Sequence, residues 1–108
     1  MISLDTPKLT ELINNCFKLS MDGALSDEQQ NEFLVAGKRL RGSLVNLLSA
    51  QFNDGTQKVL DANKQLDATN KQVAQSTDKL NTIANTLAQI NSLVVVLDDL
   101  LKIAASFH

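Results

Sequence analysis

Val59, Leu66, Val73, Leu80, Leu87, Val94 and Leu101 stand seven positions apart, without a slip, along the second half of this 108-residue chain. A repeat of that period keeps one line of side chains on a single face of an α-helix and requires another helix to cover it. With these residues as the a positions, the d positions are Ala62, Thr69, Ser76, Ile83, Ile90, Leu97 and Ala104, and Lys64, Lys71 and Asp78 point outward at f. The spacing predicts one long heptad helix over about 57–107. Its first part is a thin seam, because d is small or hydroxylated and g holds Gln65 and Gln72. Beyond Leu80 the d positions turn aliphatic and Leu93, Leu100 and Phe107 make g apolar too, a widening expected of a multi-helix core.

Two shorter helices precede it. Thr6 as cap and Pro7 at the first helical position form a start signal, since proline lacks a donor the first turn does not need. Leu9, Leu12, Ile13, Cys16 and Phe17 then follow one stripe at helical spacing until Asp22-Gly23, which predicts a helix over about 7–21. Ser26 with Gln29 three residues later makes a capping box, and Asp27 and Glu28 sit where the helix dipole favours negative charge. Phe33, Leu40, Leu44, Leu47, Leu48 and Phe52 carry that helix over about 27–52, to the turn formers Asn53-Asp54-Gly55. Gly37 and Gly42 inside it each cost about 1 kcal/mol relative to Ala, and so mark either close helix approach or local weakness.

The fold class that follows is all-α, one domain: a helical hairpin or coiled coil with a short N-terminal helix, assembling into an oligomeric helical bundle. Length favours assembly. At about 1.5 Å per residue the heptad helix extends about 75 Å and the second helix about 39 Å, so the apolar C-terminal half outruns its hairpin partner. The expected oligomer interface, most simply a twofold dimer, is Leu80, Ile83, Leu87, Ile90, Leu93, Val94, Leu97, Leu100, Leu101 and Phe107. Leaving several of these in water forfeits about 1.5–3 kcal/mol each.

Composition narrows the functions. Ten Lys and Arg against twelve Asp and Glu give a net charge of −2, without the basic excess of a nucleic-acid binder. Four Phe with no Trp or Tyr leave aliphatic packing to carry recognition. A single cysteine fits a reducing compartment, and the N-terminus lacks a basic segment followed by an apolar run, so a cytoplasmic location is expected. The most apolar stretch, Leu93 to Phe107, contains Asp98, Asp99 and Lys102 and is shorter than the roughly 20 residues of a membrane span.

Residues able to carry chemistry are sparse. His108, the only histidine, is the last residue, and one cysteine with one histidine cannot assemble a zinc site. Glu28 and Glu32 read as a solvated first turn, and the adjacent Asp98 and Asp99 point about 100° apart. Cys16 lies on an apolar stripe and reads as a small buried hydrophobe. Neither catalytic, cofactor-binding nor metal-binding residues are expected. The one local basic cluster, Lys38, Arg39 and Arg41 between two glycines, lacks the spacing and preceding strand of a phosphate loop, and is a possible anion contact only. The expected function is a non-enzymatic helical interaction protein: scaffold, adaptor or inhibitor. The other reading is a membrane-active helix whose apolar end, Leu93 to Phe107, is masked in the soluble form.

Overall fold

The computed structural model describes residues 4–48, 56–75 and 80–105, and among them the chain forms four α-helices and no strand. These are α1 (Thr6–Ser20), α2 (Asp27–Leu47), α3 (Thr56–Gln75) and α4 (Leu80–Ala105). The first helix is capped one residue earlier than its sequence suggests: the Asp5 carboxylate accepts from the Lys8 amide at 3.3 Å, so Thr6 is already helical. The side chain at Asp5 competes better for that role because a charged acceptor also meets the helix dipole. At α2 the capping box closes both ways: the Gln29 amide donates to Ser26 Oγ at 3.1 Å and the Ser26 amide donates to Gln29 Oε1 at 2.9 Å.

The long heptad helix is the principal correction. Its residues form two helices, α3 and α4, which pack against each other with opposite directions, so that Lys58 and Asp61 near the start of α3 share a groove with Asp99 and Leu100 near the end of α4. A straight helix over 57–107 would extend about 75 Å. The longest dimension of the molecule is 44 Å. Folding back wins because the wide stripe of α4 can then be covered by the same chain.

Neighbours in the bundle run α1, α2, α4, α3 and back to α1; among the described residues α2 does not touch α3, nor α1 touch α4. The hairpin expected between α2 and the start of the heptad segment therefore does not form. Instead α1 and α3 run parallel, and three polar residues of α3 lock their register. The Asp5 amide donates to Asn63 Oδ1 at 2.7 Å, Asn70 Nδ2 donates to the Lys8 carbonyl at 3.1 Å, and Asp67 lies between them, 3.3 Å from Lys8 Nζ and 3.1 Å from Lys71 Nζ. Positions 63, 67 and 70 share a helix face, which is why one side of α3 can hold the first turn of α1.

The core shows how the heptad phase survives the reversal. On α3 the buried line is Val59, Ala62, Leu66, Thr69 and Val73, the a and d positions. On α4 it is Ile83, Thr86, Ile90, Leu93, Leu97 and Leu100, the d and g positions, with Val94 also buried and Leu87 and Leu101 on the flank, partly buried. The apolar g residues that widen the stripe in sequence are thus the mark of a rotated seam. Gly37 has a clear reason: a Cβ there would stand 2.9 Å from the Phe17 ring, so its absence lets α1 and α2 close together.

The reversal is open to measurement. Spin labels at Lys58→Cys and Asp99→Cys, on a Cys16→Ala background, should report a short distance across one groove, whereas a continuous helix would separate them by about 60 Å.

Candidate functional site

The residues expected to join two chains lie in the core of one. Ile83, Ile90, Leu93, Val94, Leu97 and Leu100 are buried by the chain's own helices, and Leu87 and Leu101 are partly buried against the same cluster. Leu80 begins α4, its side chain and the whole of Phe107 lying outside the described residues. The unmet burial that required a dimer through this stripe is met by α2 and α3, the two neighbours of α4, instead. One short helix could not cover it; two flanking helices can.

Among the described residues the large apolar side chains left exposed are Met21, Val35, Val45, Leu48, Leu60 and Val95, three of them on α2 or at its C-cap. Val35, Val45 and Leu48 are 46, 69 and 64% exposed, and Val95 on the outer side of α4 is 58% exposed. Leu48 is a correction, since its sequence spacing puts it on the buried stripe. It is the C-cap of α2, still helical in backbone and turned about 100° from the buried Leu47 before it. Val35, Gly42 and Val45 also had a signal in the sequence: they follow a second line at helical spacing, opposite Phe33, Ala36 and Leu40. That line is short and broken by Lys38 and Gly42, and is easily lost beside the longer buried one.

The basic cluster sits in this region. Lys38, Arg39 and Arg41 are exposed, and no carboxylate pairs with any of them among the described residues. They do not converge on one point. At about 100° per residue Lys38 and Arg41 share the flank towards α1, where the Arg41 guanidinium stands 5.8 Å from the centre of the Phe17 ring. Arg39 projects on the other flank, into a groove between α2 and α4 lined also by Glu32, Val35, Leu87 and Asn91. Such an arrangement suits an extended partner surface better than a single small anion.

The remaining candidates are structural. Cys16 is fully buried on the inner face of α1, and burial pushes its thiol from 9.0 up to about 12. The thiolate that would make it a nucleophile is therefore suppressed. Lys71 and Lys8 hold the Asp67 carboxyl below its ordinary value, which makes their contacts a support of folding above the carboxylate range that is lost as pH falls through it. Among the described residues no three metal-ligating side chains come together. Glu28 and Glu32 are exposed at the start of α2, Asp98 and Asp99 are exposed on α4, and His108 lies outside the described residues. No protein-family model matches the chain, and no curated protein or solved structure shows a significant similarity to it.

Cys16 yields a pH dependence with a definite sign. Because the folded state raises this pKa, the protonated thiol's contribution is complete below the unfolded value near 9 and is lost as pH rises towards about 12. Denaturant melts of wild type and Cys16→Ala across that window should show the wild type losing stability faster than the variant. A thiol reagent at neutral pH should label the native protein slowly and the denatured protein fast; equal rates would mean that the thiol is not enclosed.

Proposed function

We propose that the chain is a non-enzymatic helical interaction protein, a prefolded bundle that acts as scaffold, adaptor or inhibitor by docking its outer helix surface on another protein. One observation carries this reading. A chain whose core is closed by its own four helices still leaves Val35, Val45 and Leu48 in solvent on α2, beside cations with no carboxylate partner among the described residues. Exposed aliphatic groups flanked by unpaired charge are the ordinary makeup of a docking surface, whose apolar part supplies affinity and whose charges select the partner. A stable fold does not need these side chains.

The membrane-active reading has less support. Leu93, Val94, Leu97 and Leu100 of the apolar stretch are buried in the core, and presenting them to lipid would require taking α4 out of the bundle. No helix among the described residues is long and apolar enough to cross a membrane.

A photoreactive side chain placed at Val45 should form discrete protein adducts in native extract, competed by unlabelled chain. The same group at Lys64, exposed on α3, should form none. Val45→Asp should abolish competition while changing stability by no more than about 0.5 kcal/mol, as expected of an exposed position. Identical adduct patterns from Val45 and Lys64, or a competition unaffected by Val45→Asp, would remove the reading.

A further inference from the structure

The outer face of α2 carries Glu28, Asn31, Val35, Lys38, Gly42 and Val45, all exposed, at alternating spacings of three and four residues. That is the spacing with which one helix offers a seam to a second. Gly42 stands in the middle of this line. A Cβ built there would meet nothing within 4 Å, so the chain's own packing gives no reason for a residue that costs a helix about 1 kcal/mol. Charge is divided along the same helix: Asp27, Glu28 and Glu32 occupy its N-terminal half, and Lys38, Arg39 and Arg41 its C-terminal half.

Resting on the interaction reading above, we infer that this face binds a second copy of the chain, the two α2 helices pairing antiparallel about a twofold axis that passes between Ala36 and Gly37. The charge division selects this occupant and this direction. Glu32 and Arg39 lie on one flank, about 10.5 Å apart along the helix, too far to pair within a chain. Antiparallel pairing brings Glu32 of each copy to the same flank as Arg39 of the other, offset by two residues or about 3 Å, which the long side chains span, so the ion pair is made twice. Parallel pairing would set acid against acid and base against base and would align the two helix dipoles unfavourably. Along the seam, Val35 meets the aliphatic stem of Lys38 from the second copy, Asn31 meets Gly42, and Glu28 lies beside Val45. Gly42 gives the backbone room for that approach. A single helix pair is a small interface, so the dimer dissociates on dilution and weakens with salt.

Sedimentation over a concentration series, at low and high salt, tests this with four variants of the full chain. Wild type should show a reversible monomer–dimer equilibrium that salt weakens. Arg39→Glu and Glu32→Arg should each weaken association by about tenfold or more, and the double variant should restore it, because the charges are exchanged with their geometry kept. Gly42→Gln should be monomeric, with a melting curve in dilute solution no lower than wild type. A wild type that stays monomeric throughout overturns the proposal, while adducts with other proteins from Val45 would leave the broader interaction reading standing. A dimer indifferent to the charge reversals, or a double variant as weak as the singles, overturns it as well.

Discussion

The stripe on α4 is the constraint to which the rest of the fold answers. Ile83, Ile90, Leu93, Val94, Leu97 and Leu100 together exceed what one facing helix can cover, and all are buried in a chain only 44 Å long. Burying them without another molecule requires helices on more than one side, so the heptad segment turns back and α2 and α3 flank α4. The thinner seam of α3, with Ala62 and Thr69 in its line, then closes the ring against α1. Small residues there keep α3 near its neighbours where a bulkier line would hold them apart.

Apolar burial alone does not choose among the ways four helices can be arranged. The polar contacts between α1 and α3 make that choice. Asn63 and Asn70 bind backbone groups at the start of α1, and Lys8, Asp67 and Lys71 join across the same edge. A one-turn slip or a reversed α1 would leave these groups unpaired at a partly buried edge, a cost that a shifted hydrophobic contact would not carry. The ion pairs themselves are well exposed and contribute little energy. Their value lies in direction and register.

The outer surface obeys a different logic from the core. Within the bundle, Gly37 and Thr69 have local reasons: Gly37 admits Phe17, and Thr69 Oγ1 donates to the Gln65 carbonyl at 2.6 Å. On α2's far side, Gly42, Val35 and Val45 have none inside the chain. The proposed docking role, and the self-pairing inferred from it, rest on that contrast between a residue set explained from within and one that is not.

By itself the sequence determined the helical class, the Ser26 capping box and the stop at Asp22-Gly23. It also determined most of the side chains that face inward on α1, α2 and α3, Leu48 at the end of α2 being the exception. These are local properties, set by spacing along one helix and by hydrogen bonds between residues three or four apart. It did not determine that the heptad segment is two helices, because a reversal between two in-phase segments leaves the seven-residue period intact; only the shift of the apolar line from a and d to d and g betrays it. Which helices touch, which way they run, and that Leu93, Leu97 and Leu100 face their own chain were decided by tertiary structure. The same stripe can be buried by another molecule or by the chain folding on itself, and that choice depends on shape and on contacts such as Asn70 to Lys8, between residues far apart in sequence.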